Sequence, residues 1–295
     1  MELGLALLGR LAGDIVLSPY GLARALEIIR NGSTGETRAR LDELLGDPPP
    51  AVPGVLSAQA AWLGARYRPG PKLTVETGPL ELERINAWSN EKTRGMIPRI
   101  LDQLGVDEVA VITDAEYLKA RWEHPFTDTR PAPFEGAGEV AMMRVEGRFE
   151  HAADAVRLPY GEHDLRFVAM LGEWHDVEWV RGQGTVELPR FSTTSSLDLD
   201  RALGLRLPAG HDLDELIEGP GEKALGRVIQ RARVDVDEEG TTAAATTAVT
   251  VRAVSLALEP FHLVLDRPFT WAVEHAPTGT LLFVGRVLNP TQRSD

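Results

Sequence analysis

VDVDEEGTTAAATTAV, residues 234–249, continued by TVRAVSLALEP to residue 260, is the stretch whose reading decides the fold. Valine and aspartate alternate up to Asp237, as in a strand with one buried face, and Glu238, Glu239 and Gly240 then break the pattern. From Thr241 onward there is no glycine, no proline and no acidic residue until Glu259. Surface connections use Gly, Pro, Asn, Asp and Ser to satisfy turn geometry, so this uncharged tract of Thr, Ala and Val reads as a strand waiting for a sheet. Counting by twos, Thr241, Ala243, Ala245, Thr247, Val249 and Val251 share one face. Thr242, Ala244, Thr246, Ala248, Thr250 and Arg252 share the other. The first face is small and apolar enough to be buried, and the second ends in the charge of Arg252. Taken alone, the tract also fits an Ala/Thr-rich linker or an ordinary core strand, and its neighbours decide between them.

Downstream come LDRPFTWAV (265–273) and PTGTLLFVGRVLNP (277–290). Upstream lie LSPYGLARAL (17–26), STGETRARLDELLG (33–46), INAWSNEKTRGMIPRIL (85–101) and ELPRF (187–191). These segments, in this order, resemble the serpin family, and EEGTTAAATTA (238–248) resembles the hinge of its reactive-centre loop. The resemblance implies one α+β domain over residues 1–295 with the reactive-centre loop at about 238–260. Its fold is a large mixed central sheet with smaller second and third sheets and surrounding helices. Compared with the family, the stretches on either side of the Trp62 strand and between Leu171 and Val186 are short, so several helices are expected to be shortened or missing.

Composition sets the outer limits. A chain of 295 residues with 43% hydrophobic content can bury a sizeable core. A net charge of -13 argues against nucleic acid and anionic membranes as partners, because both demand a basic patch. Cysteine is absent, which excludes a disulfide framework, thiolate metal ligands and a cysteine nucleophile and leaves the compartment open. The first residues, MELGLALLGRLAGD, contain Glu2 and no basic leader and read as a packed helix, favouring a cytoplasmic over an exported protein. No apolar run has the length of a membrane span. Four lysines among many arginines, with abundant Ala and Gly, suggest a bacterial, GC-rich source.

Local patterns predict the elements. Residues 3–11 are helix-periodic and 15–17 strand-like; Ser18-Pro19 opens a helix to residue 30 with a capping serine and proline at its first position. Helices are also expected at 33–45 and 80–94, with short ones at 197–205 and 213–217. Strands are expected at 58–67, along 109–122, in shorter pieces around Phe134, Met142-Met143 and Phe149, at 155–159, 165–171 and 187–191, and at 225–237.

No enzyme signature emerges. The seven histidines (His124, His151, His163, His175, His211, His262, His275) form no i, i+4 pair for a metal, and no metal or other cofactor is expected. The nucleophile elbow, the phosphate loop and the dinucleotide fingerprint are all missing. Ser18 is read as a cap, not a nucleophile.

The resemblance implies inhibition of a serine protease by a consumed substrate. The protease attacks the loop and forms an acyl-enzyme; the hinge side, freed by cleavage, inserts as a new strand. Glu238, Glu239 and Gly240 then form the pivot, and Thr241, Thr242, Ala243, Ala244, Ala245, Thr246, Thr247 and Ala248 the small residues that insertion requires. By the family's spacing from the hinge glycine, the scissile bond is Val254–Ser255, with Arg252 the runner-up. Valine suits an elastase-like or subtilisin-like protease and arginine a trypsin-like one. The sheet-opening region falls on Ser18, Gly21, Asp114, Trp122 and Gln230. Gly21, Asp114 and Gln230 stand where the family usually has serine, asparagine and histidine. That departure favours the alternative of a non-inhibitory serpin-fold protein acting as protease substrate, binder or folding factor. A monomer is expected.

Overall fold

The computed structural model describes residues 2–53, 55–106, 108–204, 209–224, 226–241 and 260–291. Helix α1 (Glu2–Arg10) precedes β1 (Ile15–Leu17), and Ser18 caps α2 (Pro19–Asn31) by accepting the Gly21 N–H at 2.9 Å. Helix α3 (Gly35–Leu44) comes next, then β2 (Val55–Leu63), β3 (Arg68–Pro69), β4 (Glu76–Pro79) and α4 (Leu82–Lys92). The long strand expected at 109–122 is broken at Lys119 into β5 (Ala110–Leu118) and β6 (Ala120–Arg121). Beyond it lie β7 (Asp128–Phe134), β8 (Gly138–His151), β9 (Ala155–Pro159), β10 (Leu165–Leu171), β11 (Val180–Pro189), β12 (Phe191–Asp198) and α5 (Leu199–Leu203). The last elements are β13 (Ile217–Glu218), β14 (Arg227–Val236), β15 (Gly240–Thr241), β16 (Phe261–Val264), β17 (Phe269–His275) and β18 (Thr280–Val287).

These strands form three sheets among the described residues. One has nine strands in the order β1-β18-β17-β10-β9-β8-β11-β16, with β7 also on β8; another has seven, β4-β2-β5-β14-β15-β6, with β12 also on β14; the third pairs β13 with β3. The seven-stranded sheet is mixed. Its middle is a parallel pair, β5 with β14, in register from Val111↔Arg227 to Tyr117↔Arg233. Parallel neighbours in one sheet need a long crossover, and here everything from β6 to β13 intervenes.

All nine residues of β5 are buried because the sheet is covered on both faces. On one face Ile85 and Trp88 of α4 pack with Trp62, Val111, Ala115 and Ile229, the two indoles meeting edge to face at 5.7 Å. On the other, Leu22, Leu26 and Ile29 of α2 pack with Ile112, Val228 and, from the nine-stranded sheet, Val284. The aromatic centre of the nine-stranded sheet is Trp271, wholly buried and stacked on Phe167 at 5.6 Å.

Two local expectations differ from the structure. Residues 134–149 are not a series of short strands, because β8 runs unbroken for 14 residues and pairs with β7, β9 and β11. Residues 213–217 form no helix; they are a turn leading into β13. There Asp212 is drawn off to cap α3, its carboxylate accepting the Thr37 N–H at 3.0 Å where the Thr34 side chain makes no cap bond. A five-residue segment has too few internal bonds to resist such a claim.

Trp271→Ala is expected to cost about 3–5 kcal/mol, the usual penalty of an aromatic-to-alanine cavity, measured as a lower urea midpoint at unchanged slope. An unchanged midpoint would show that this aromatic centre does not support the sheet.

Candidate functional site: a hinge seated above a closed seam

At Val236 the chain leaves β14, turns through residues 237–239 and returns as β15. The turn is held by Asp237, whose Oδ1 accepts the N–H groups of Glu239 (3.0 Å) and Gly240 (3.1 Å), an Asx-type arrangement. Gly240 has φ 154°, and a Cβ there would stand 2.2 Å from the Ala120 carbonyl oxygen, so no side chain fits. Gly240 and Thr241 pair antiparallel with β6 on one side, and Thr241 pairs with Val236 of β14 on the other. They therefore occupy the first rung of a strand between β14 and the continuation of β5. A strand continued in that direction would have to part β5 from β14.

The rung is anchored from below. Thr241 is fully buried, and its hydroxyl shares a 2.7 Å hydrogen bond with the hydroxyl of Tyr160. Tyr160 stacks on Trp122 at 4.5 Å, and Trp122 donates its Nε1–H to the Asp237 carbonyl at 2.8 Å. Backbone bonds from Trp122 to Glu239 and from Phe126 to Glu238 close the other side. The Glu238 carboxylate accepts from Thr129 Oγ1 at 2.5 Å and from the Arg190 guanidinium. Burial alone would raise this carboxyl; the bonds from Arg190 and Thr129 outweigh burial and hold it below its ordinary value.

Lower on the seam, Ser18, Gly21, Asp114 and Gln230 come together under the start of α2. Gln230 is fixed at both ends of its amide: Oε1 accepts the Ser18 N–H at 2.8 Å, and Nε2 donates to the Ser18 carbonyl at 3.0 Å and to Asp114 Oδ2 at 2.8 Å. Asp114 Oδ1 accepts from Gln59 of β2 at 2.8 Å. Gln59 and Gln230 are the register partners of Asp114 on its two neighbours, so one carboxylate ties three adjacent strands together. A Cβ on Gly21 would stand 2.3 Å from Asp114 Oδ2 and 2.5 Å from Glu116 Oε1, so a side chain at that position would force the two carboxyls to shift. Gly21, Asp114 and Gln230 thus form one fitted unit.

Trp122 lies apart from this group, in the upper anchor with Glu238, Glu239, Gly240 and Thr241. Thr242, Ala243, Ala244, Ala245, Thr246, Thr247, Ala248, Arg252, Val254 and Ser255 lie outside the described residues. Sequence reading passed over Gln59, Glu116, Thr129, Tyr160 and Arg190. Strand alternation puts Glu116 on the same face as Asp114, a signal that was available; the others are brought in by strands far away in the chain.

The arrangement defines a class first: an α+β protein whose mixed sheet is closed by a parallel pair and carries the first rung of one more strand. The family profile described as serpin (serine protease inhibitor) matches residues 72–290. The chain is similar to leukocyte elastase inhibitor of Bos taurus, 28% identical over 95% of this chain and 94% of that protein. It is also similar to an uncharacterized serpin-like protein of Thermococcus kodakarensis, 27% identical over 94% of this chain and 81% of the other. Among solved structures, Serpin48 of Tenebrio molitor superposes with a TM-score of 0.83 at 20% identity, covering 97% of this chain and 94% of that one. The thermophilic serpin tengpin in its native state superposes with a TM-score of 0.80 at 21% identity, covering 94% and 88%. This protein belongs to the serpin (serine protease inhibitor) family, a family of non-catalytic proteins.

Two substitutions test the anchors. Gly21→Ala should destabilise by about 1–3 kcal/mol through overpacking, read as a lower denaturant midpoint; an unchanged midpoint would contradict the tight fit. Glu238→Lys removes the bonds to Thr129 and Arg190 and sets two cations side by side, costing about 1–2 kcal/mol after solvent screening. Because the folded value of Glu238 is lowered, its contribution is whole above about pH 4.3 and is lost as pH falls through the folded value. The Lys variant should therefore lose stability relative to the parent at pH 7 and less at pH 3; an equal loss at both would refute the electrostatic part.

Proposed function

We propose that the protein inhibits a serine protease as a suicide substrate, through a reactive-centre loop at about residues 238–260 that enters the seven-stranded sheet after cleavage. The observation that carries this reading is the seat of Gly240 and Thr241 on β6, with Thr241 paired on its other side to β14, as the first rung of a strand antiparallel to both. Continuing that rung would exchange one parallel ladder for two antiparallel ones. About ten new ladder bonds at roughly 0.5–1.5 kcal/mol net each would release about 5–15 kcal/mol, comparable to the stability of a whole domain.

Val254–Ser255 is the bond offered, to an elastase-like or subtilisin-like protease, with Arg252 and a trypsin-like protease second. A relative named for its inhibition of leukocyte elastase supports the first choice. A shortened, bacterial member acting as a monomer completes the reading. Its shortening is supported by an alignment of 357 positions against a chain of 295 residues. The second reading, cleavage without trapping, is favoured by one observation: Asp114 and Gln230 fasten the seam on both sides of β5, and that fastening opposes fast insertion.

Incubation with elastase, subtilisin and trypsin, followed by denaturing electrophoresis, separates the two. A covalent adduct with one of them and a sharply raised melting temperature after cleavage are expected; clean cleavage with neither would refute inhibition. Thr241→Arg should lose the adduct and also lower the melting temperature of the uncleaved protein, because it puts an unpaired charge in the site beside Tyr160 where Thr241 is already buried.

A further inference from the structure

Beneath the first turn of α2 lies a second feature of the seam. Asp114 and Glu116, two apart on one face of β5, are both fully buried, and their carboxyls converge on the Cα of Gly21. Asp114 is well supplied with donors, Gln59 and Gln230. Glu116 is not: among the described residues neither of its oxygens meets a donor in hydrogen-bonding geometry, although Ser57 and Asp114 are close enough to act on its charge.

The surroundings offer little compensation. From β2, Gln59 and Ser57 face the pair, and from β14, Gln230 and Ala232 are the register partners; none of these ionises. From α2, Arg24 acts on both carboxyls, but its side chain is exposed and donates to the Tyr20 hydroxyl at 3.0 Å. Glu27, a turn further on, is paired with Arg30 at 2.6 Å. Two adjacent negative charges in a dry interior, one of them without donors, are far costlier than one charge and one proton.

We propose that Asp114 and Glu116 form a proton-operated latch on the seam between β5 and β14, shut while one carboxyl keeps its proton and eased open when both are ionised. Ionised Asp114 draws on both glutamine amides, which fasten β2, β5 and β14, while protonated Glu116 sits beside it as a neutral acid. Burial first, and the charge of Asp114 second, hold the Glu116 carboxyl well above its ordinary value; burial raises Asp114 as well. An unfolded or opened chain gives Asp114 and Glu116 their ordinary values, about 3.9 and about 4.3, so the closed sheet binds the extra proton. Its contribution to stability is whole below about pH 4.3 and is lost progressively as pH rises towards and through the raised folded value. The latch governs the same sheet opening on which the inhibitory reading rests, but it belongs to the resting protein and is read without a protease.

The experiment anneals a synthetic peptide, TTAAATTAVTV (the sequence of residues 241–251), to the intact protein between pH 5 and 9 and tracks complex formation on native gels. In the parent the annealing rate should rise with pH, by at most about tenfold per pH unit for a single linked proton. Glu116→Gln, neutral and of the same shape, should anneal at the slow acid rate at every pH. Infrared absorption of an un-ionised carboxyl should be present in the parent at pH 7, decline as the annealing rate climbs, and be missing from Glu116→Gln. That spectrum tests the latch on the parent alone should the variant fail to fold. A flat profile in the parent, the same slope in Glu116→Gln, or no un-ionised carboxyl at pH 7 would overturn the latch while leaving the inhibitory reading intact. Annealing at no pH would overturn both. A pH-dependent annealing without any protease adduct would uphold the latch and refute inhibition alone.

Discussion

The parallel seam between β5 and β14 is the constraint on which the rest of the structure depends. Each strand offers its partner a slanted, less stable ladder than an antiparallel neighbour would provide, and the two run the same way, so one further strand could pair antiparallel with both. The seven-stranded sheet is closed, yet it is closed by its weakest kind of contact. The side chains gathered around residues 237–241 and around Asp114 hold that contact.

Two sets of side chains hold it, and they work by different physics. At the top, aromatic stacking and backbone hydrogen bonds seat residues 237–241: Trp122 lies on Tyr160 at 4.5 Å, and Tyr160 meets the buried Thr241 hydroxyl. This anchor is apolar and largely indifferent to pH, apart from Glu238 at its rim. Lower down, a polar cluster spans β2, β5, β14 and the start of α2 through Asp114 and its two glutamine partners. Buried polar networks of this kind are strong when every member is satisfied and unstable when one is not. Glu116, with no donor, is the unsatisfied member.

The residues of this cluster are legible only together. Gly21 removes the side chain that would collide with two carboxyls; Asp114 supplies acceptors for amides on either side; Gln230 is long enough to reach Asp114 and both backbone groups of Ser18. Any one of them in isolation would leave a clash or an orphaned donor. As a unit they turn the middle of the sheet into a site whose cohesion is electrostatic.

Much of this was open to a reader of the chain alone. The segments ending in PTGTLLFVGRVLNP resemble the serpin family closely enough to give the family and the fold class, and the Ser18-Pro19 cap gives the start of α2, because local steric rules and side-chain periodicity do not wait for tertiary contacts. The alternation in AVITDAEYL even placed Asp114 and Glu116 on one face. It did not say that this face would be covered by α2, nor that Gln59 and Gln230, 55 and 116 residues away, would arrive opposite Asp114. Likewise nothing local links Tyr160 to Thr241, or Arg190 to Glu238. Which strand lies beside which is a matter of long-range register, and register decides which charges are dry and which are paired; that was settled only when the sheet closed.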